Sequence, residues 1–245
     1  MGEAGCMTTA VAIAVVMLVL VATNVWVHVG PTRAHLLTGP LAALLLLLVG
    51  RMAGLSWQEL GLGRQTWWAG VQVALAVVVA VAVAYCVAVT IPFTRAAFRD
   101  TRYRLGLRQA LFTALVVIPL GTVLFEEVAF RSVLWGLLAR GLGALGATTM
   151  SAVLFGVWHV LPAMDLLRTH RSVRGDKALT RARVAVSVLA TIAFTTIAGI
   201  VFAELRRRSG SLVAPMGLHW ATNGLGVLAA ARVWAISPDH VARQT

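Results

Sequence analysis

The sequence predicts an all-α polytopic membrane protein, a transmembrane helical bundle of about seven to eight spans. Hydrophobic residues make up 59% of its 245 residues and charged residues only 12%, and the mean hydropathy is +0.85. A soluble domain usually contains about 45–50% apolar and about 25% charged residues. The chain has too few polar residues to cover its surface in water. We therefore expect a multi-pass integral protein of the cell membrane.

Seven apolar runs are long enough to be considered as spans. A helix needs about 20 apolar residues to cross a hydrocarbon core roughly 30 Å thick, and it satisfies its own backbone hydrogen bonds there. Gly39 and Pro40 interrupt the second run, and the fifth is short. The runs lie at about 8–29, 36–54, 67–91, 109–139, 147–164, 184–205 and 212–235. The first run is longer than the usual apolar part of a signal peptide and follows no basic segment, so we expect a retained helix.

The connectors are too short for a second folded domain, so we treat the chain as one continuous membrane domain. Residues 1–104 hold the N-terminal transmembrane helices and an interfacial segment. Within them, 55–64 is expected to form a short interfacial helix and turn, because tryptophan favours the headgroup region. Residues 105–235 form a core that carries the motifs described below, and 236–245 form a short polar tail.

The net charge of +12 is explained by membrane topology. Two connectors carry most of the basic residues, namely Arg95, Arg99, Arg102, Arg104 and Arg108 in one and Arg168, Arg171, Arg174, Lys177, Arg181 and Arg183 in the other. Two spans separate these connectors, so they share one side of the membrane, which the positive-inside rule makes cytosolic. We expect contact with membrane lipids and no binding of nucleic acid. The run 206–208 would lie on the opposite side.

An ionisable residue inside a span is costly and is a candidate functional residue by default. The first such group is Glu126 and Glu127, which follow an apolar run and precede another. Glu127 and Arg131 are four residues apart and share a helix face, which predicts an ion pair. Glu126 points about 100° away and lacks that partner, so it is the candidate general base. The alternative is a purely structural charge network between helices.

The second group is Phe155 and His159, which share a helix face in the short fifth run. Here an aromatic ring can wall the space beside an imidazole. Taken alone, His159 is more often a packing residue.

The third group is His219 and Asn223 in the last run. Their four-residue spacing predicts that both project into one cavity as a hydrogen-bonding pair. Together the three groups provide a carboxylate, two imidazoles and an amide, which suffice to activate water and to bind an oxyanion. We therefore expect an active site inside the bundle.

These motifs resemble those of the CPBP intramembrane proteases, which include the type II CAAX prenyl endopeptidases and bacterial abortive-infection proteins. The family patterns Glu-Glu-x-x-x-Arg, Phe-x-x-x-His and His-x-x-x-Asn are complete at 126–131, 155–159 and 219–223. The resemblance covers about 105–235, whereas the first hundred residues match only as generic spans. One departure is Ser132, where many members carry glycine.

The resemblance implies an intramembrane endopeptidase that acts on prenylated CAAX-type C-termini or on other membrane-associated peptides or proteins. Glu126 would be the general base, assisted by His159. His219 and Asn223 would donate hydrogen bonds to the tetrahedral intermediate, and Glu127 and Arg131 would hold the site together.

Metal dependence and function each leave an alternative open. Glu126, His159 and His219 also make a three-ligand set for catalytic zinc, as in a metalloprotease. We favour a mechanism without a metal cofactor, because the chain lacks a His-Glu-x-x-His helix. A non-catalytic membrane scaffold is the main functional alternative, and a transporter with a buried charged site is weaker because no inverted repeat is visible. The sequence does not indicate an oligomeric state.

Overall fold

The computed structural model describes residues 7–29, 35–174 and 181–236, and these residues are almost entirely helical, with no strand among them. The predicted all-α bundle is confirmed. The α-helices are α1 (Thr9–Val29), α2 (His35–Met52), α3 (Trp67–Thr90), α4 (Pro92–Arg95), α5 (Leu107–Phe112), α6 (Leu124–Glu127), α7 (Leu134–Trp158), α8 (Val160–Arg174), α9 (Arg181–Ser209), α10 (Val213–Trp220) and α11 (Gly226–Ala235). Most of the predicted polar tail, 237–245, lies outside the described residues.

Short segments of tighter or wider helix join several of these elements. The 3₁₀ turns are Arg64–Thr66, Ala96–Phe98 and Thr101–Tyr103. The π-helical segments are Thr113–Val117, Pro119–Val123, Val128–Val133 and Ala221–Leu225. Through the π-helical segments, α5, α6 and the start of α7 form one continuous helix, and α10 and α11 form another.

Within the described residues the chain passes through the bundle seven times, in alternating directions, and each pass is called a crossing. The first three are α1, α2 and α3. The fourth is 107–142, and it ends at Gly143, whose φ of 67° lies in the left-handed region that glycine adopts readily. The rest of α7 is the fifth crossing, α9 is the sixth, and 213–235 is the seventh. Each of the seven apolar runs therefore contains one crossing.

The crossings define two ends of the bundle. We call the end at the connector 53–66 the turn end, and the end at the connector 91–106 the cavity end. At the turn end, the connector 53–66 meets the start of the last crossing, where Leu212 N donates to Gly61 O at 2.8 Å. At the cavity end, the connector 91–106 meets the last crossing near its finish, where Trp234 Nε1 donates to Asp100 O at 3.0 Å. The first basic connector therefore lies at the cavity end.

Length and hydropathy identify four described helices as able to cross a membrane: Thr9–Val29, Arg64–Thr90, Leu107–Leu167 and Ala182–Ser209, with Leu36–Met52 as a shorter apolar helix. The third of these, Leu107–Leu167, contains the break at Gly143 and so makes two crossings. Exposed apolar side chains follow α3 at four-residue intervals, at Leu75, Val79, Val83 and Val87. A helical face of this kind suits a lipid environment, and the protein is an integral membrane protein.

Basic residues at the turn end are engaged within the protein. Arg206, which is buried, donates through Nη2 to Glu59 O at 2.8 Å. Arg207 and Arg208 both pair with Glu204, at 2.7 and 2.5 Å. The run 206–208 does lie opposite the first basic connector, and these contacts account for it.

The connector 53–66 was expected to include a short interfacial helix, but it forms turns followed by a 3₁₀ turn. Ser56 N donates to Glu59 Oε2 at 2.7 Å, and Glu59 N donates to Ser56 Oγ at 3.1 Å. Burial raises the pKa of Glu59, but these hydrogen bonds and Arg140 outweigh it and leave the pKa below its usual value. Reciprocal bonds of this kind satisfy the backbone of a single turn without further helix.

Small residues bring the crossings close together, as in other membrane bundles. A methyl group at Gly156 would lie 2.1 Å from Thr196 Oγ1, so α7 and α9 pack in direct contact there. A methyl group at Gly39 would lie 2.3 Å from Leu120 O. The second crossing therefore rests on the π-helical part of the fourth, and α2 continues through Pro40.

Candidate active site

Glu126 and Glu127 occupy the last turn of α6, near the middle of the fourth crossing. π-helical segments lie before and after this turn, at Pro119–Val123 and Val128–Val133. Such wide turns are rare, and they occur frequently at functional sites. Both glutamates are buried. Two adjacent carboxylates in this position require compensating positive charge or hydrogen bonds.

Glu127 has two partners. Its Oε1 lies 3.3 Å from Arg131 Nη1, which forms the ion pair that the four-residue spacing predicts. The same oxygen lies 2.8 Å from His219 Nδ1. An ionised carboxylate can only accept, so Nδ1 carries the proton in this contact. Arg131 therefore balances the charge of one of the two carboxylates.

Aromatic rings surround the guanidinium of Arg131, which is fully buried. Its Cζ lies 3.9 Å from the ring centroid of Phe155 and 4.9 Å from that of Phe202. None of its three nitrogens makes a hydrogen bond among the described residues. Ring faces attract a cation, so the ion pair and two aromatic rings together hold this charge.

Glu126 lies between the fifth and seventh crossings. Trp158 Nε1 donates to its Oε1 at 3.0 Å. Its Oε2 lies 3.7 Å from His219 Nε2 and makes no hydrogen bond among the described residues. His219 thus bridges both carboxylates, through Nδ1 to Glu127 and through Nε2 toward Glu126. The two glutamates differ in the way that the spacing predicts, because only Glu127 pairs with Arg131.

A cavity of about 1080 Å³ opens beside Glu126. His159 from the end of the fifth crossing and Asn223 from the seventh also line it, whereas the buried Glu127, Arg131 and His219 lie behind its wall. The cavity therefore brings together three of the four residues predicted to be catalytic. It is large enough for a peptide segment, since ligand sites are typically about 300–1,000 Å³.

His159 is oriented by the helix that ends beside it. Its Nδ1 lies 2.7 Å from Phe155 O. A carbonyl oxygen only accepts, so Nδ1 carries the proton and Nε2 is the nitrogen left for the cavity. The rings of Phe155 and His159 meet edge to face with centroids 4.6 Å apart. Phe155 therefore walls the imidazole, as its position predicts, and also covers Arg131.

His219 and Asn223 occupy different positions in the site. His219 is buried and stacks on Phe202 with ring centroids 5.0 Å apart, whereas Asn223 is exposed to the cavity. No hydrogen bond joins the two residues, although a pair was expected. The π-helical segment Ala221–Leu225 lies between them. The wider turn changes the angle between positions that an α-helix would align.

The cavity end also carries charged residues near the mouth. Asp100 accepts from Arg102 Nη2 at 2.6 Å, and this hydrogen bond raises the pKa of Arg102 above its ordinary value. His28 Nε2 lies 3.3 Å from Asp165 Oδ2, a contact that joins α1 to α8. All four residues line the cavity. A molecule that enters the cavity from this end therefore passes both acidic and basic side chains.

The alternative zinc set does not assemble in this arrangement. No group of three His, Cys, Asp or Glu side chains in the described part of the chain is placed to hold a metal ion. His219 Nδ1 is already bound to Glu127, and its Nε2 faces Glu126. As placed among the described residues, Glu126, His159 and His219 are not grouped as three ligands.

Comparison with known protein families finds a match for the part of the chain that carries the site. Residues 108–225 match the family model described as type II CAAX prenyl endopeptidase Rce1-like. This match supports membership of the CPBP family. The matched segment includes all three motifs of the CPBP site and excludes α1, α2 and α3. Neither a curated protein nor a solved structure matches the chain.

Three residues of this CPBP site were missed by the sequence analysis. Trp158 binds Glu126, Phe202 stacks on His219, and Asn24 of α1 donates through Nδ2 to Trp158 O at 3.1 Å. Asn24 carried a usable signal, because it is a polar residue within an apolar run. Trp158 and Phe202 carried none, because aromatic residues are common in membrane helices.

Proposed function

We propose that this protein is an intramembrane endopeptidase that hydrolyses peptide bonds with water activated by Glu126. One observation carries the proposal: Glu126, His159 and Asn223 come from three different crossings and line the same cavity inside the bundle. Membership of the CPBP family supports proteolytic activity. We propose prenylated CAAX-type C-termini or other membrane-associated peptides as substrates.

In the proposed reaction, Glu126 takes a proton from water as the oxygen attacks the scissile carbonyl, and the proton then passes to the leaving amine. His159 offers Nε2 as a second acceptor for the water. Asn223 donates to the developing oxyanion. His219, whose Nε2 lies 3.7 Å from Glu126, stabilises the negative charge that develops beside that residue.

We further propose that the mechanism needs no metal and that the cavity opens toward the cytosol. The first point is supported by the sequence, in which the candidate ligands are scattered over three crossings and no His-Glu-x-x-His helix occurs. The first basic connector, which lies at the cavity end, supports the second through the positive-inside rule. We place the protein in the cell membrane.

Glu126→Gln tests the catalytic role. The amide keeps the shape of the side chain but cannot take a proton from water, so we expect hydrolysis of a panel of prenylated and unprenylated peptides to be abolished while the protein stays folded. Glu204→Gln is the matched control, because it makes the same change in an ion pair far from the cavity, and it should leave hydrolysis unchanged. Near wild-type cleavage by the Glu126 variant would remove that residue from catalysis.

The same assay tests metal dependence. We expect full activity in protein treated with a chelator and shown by elemental analysis to be metal-free. Loss of activity on chelation, restored by zinc and accompanied by about one metal per chain, would establish the zinc mechanism instead.

A further inference from the structure

The first crossing reaches the site although it lies outside the segment that matches the CPBP family model. Asn24 Nδ2 donates to the backbone oxygen of Trp158 at 3.1 Å. Thr23 and His28 from the same helix also line the cavity. These polar side chains sit within an apolar run, where each needs a partner. The first crossing therefore contributes polar side chains to the cavity and a hydrogen bond to Trp158.

Pro162 explains why the oxygen of Trp158 is free to accept from Asn24. In an α-helix, the carbonyl of one residue accepts from the N–H four residues later. Four residues after Trp158 stands Pro162, which has no N–H. The helix α7 also ends at Trp158. A part-buried carbonyl without a partner is costly, and Asn24 supplies the missing donor.

The indole ring of Trp158 is fixed by its neighbours. Its centroid lies 5.7 Å from that of Phe125 and 5.9 Å from that of Phe130. Both phenylalanines belong to the crossing that carries Glu126. The ring is therefore held against this helix, with Nε1 3.0 Å from Glu126 Oε1.

We propose that Trp158 is a positioning residue that fixes the carboxylate of Glu126, and that Asn24 of α1 holds Trp158 in place. The inference rests on the proposed function, because it assigns the two residues to the general base of that reaction. An indole N–H is only a donor. Trp158 therefore orients Glu126 without exchanging protons with substrate or water.

Loss of this N–H has a consequence that a loss of packing does not have. A donor to a carboxylate favours its charged form, so the acid limb of the pH–rate profile should move to higher pH when the donor is removed. The charged and titratable groups around Glu126 are Glu127 and Arg131 on its own crossing, His219 on the seventh and His159 at the end of the fifth. All of them stay in place in a variant that changes only the indole.

Trp158→Phe removes the N–H and keeps an aromatic ring between Phe125 and Phe130. We expect kcat on a cleaved peptide to fall about 10- to 100-fold, the range for one hydrogen bond to a charged group. KM should change little, and the acid limb should move to higher pH. Trp135→Phe is the matched control, because Trp135 Nε1 donates to Thr148 Oγ1 at 3.1 Å away from the cavity. It should leave the pH profile unchanged.

Asn24→Leu tests the second part of the proposal. It removes the donor to Trp158 O and keeps the side-chain volume, so we expect a smaller loss of kcat in the same direction. In the Trp158→Phe background, the effect of Asn24→Leu on kcat should nearly disappear, because Asn24 acts through the indole. Independent, additive effects of the two substitutions would contradict this relation.

A measurement without substrate separates this inference from the proposed function. We would record the indole N–H resonances of the ¹⁵N-labelled protein in detergent, with Trp158 assigned from Trp158→Phe. Glu126→Gln should shift the Trp158 resonance and leave that of Trp135 in place. An unmoved Trp158 resonance, or an unchanged pH profile in an active Trp158→Phe variant, would overturn this inference alone. If the wild-type protein cleaves no peptide in the panel, the proposed function fails and the positioning role fails with it, even where the resonance shifts.

Discussion

Glu127→Gln should destabilise the protein by about 3–5 kcal/mol, because it leaves the buried guanidinium of Arg131 without its counter-charge. The distance supports this size. Unit charges 3.3 Å apart attract each other by about 5 kcal/mol at an effective dielectric constant of about 20. Glutamine keeps an oxygen that can accept from His219 Nδ1, so the substitution removes charge with little change of shape.

The measurement is unfolding of the purified protein in mixed micelles, by titration with a denaturing detergent and circular dichroism. Glu204→Gln is the control of equal chemistry, and it should change stability little because its ion pairs are exposed to solvent. The double variant Glu127→Gln, Arg131→Met should recover most of the loss, since it removes the uncompensated charge as well. The argument is refuted if Glu127→Gln costs no more than Glu204→Gln, or if the double variant is less stable than the single one.

Two further substitutions test the cavity and the packing around it. Asn223→Ala should lower kcat about 100- to 1000-fold with little change in KM, because a donor to an oxyanion acts mainly in the transition state; steady-state kinetics that show a change in KM alone would reduce Asn223 to a substrate-positioning role. Gly39→Ala should cost about 1–3 kcal/mol in the same detergent titration, because the new methyl group would lie 2.3 Å from Leu120 O. At Gly141 the new methyl group would have no packing neighbour within 4 Å, so Gly141→Ala should be neutral or stabilising. An equal loss of stability in both variants would contradict the packing argument.

Much of the fold could be predicted because membrane spans are determined by the length of apolar runs. Even the break at Gly143 falls in the gap between the fourth and fifth runs. The segment 55–64 was wrongly expected to include a helix, because the headgroup preference of tryptophan indicates a position at the membrane surface and not a local backbone conformation.

The site was predictable where a regular α-helix determines the geometry, and unpredictable where a π-helical segment or the packing between helices does. The Glu127 and Arg131 pair follows from spacing along one helix. The separation of His219 from Asn223 does not, because it depends on a π-helical segment that the sequence does not indicate. The contact of Trp158 with Glu126 joins residues 32 positions apart, and only the packed bundle reveals it.

An odd number of crossings also bears on how the chain enters the membrane. Thr9 and Ala235, the outer ends of the first and seventh crossings, emerge on opposite sides, and the proposed orientation places Thr9 on the trans side. In that orientation the first basic connector keeps Arg95, Arg99 and Arg102 on the cytosolic side, between the third and fourth crossings. Basic residues resist translocation far more than acidic ones do. This connector therefore sets the direction of the third and fourth crossings, and with them that of the crossings on either side, during biogenesis.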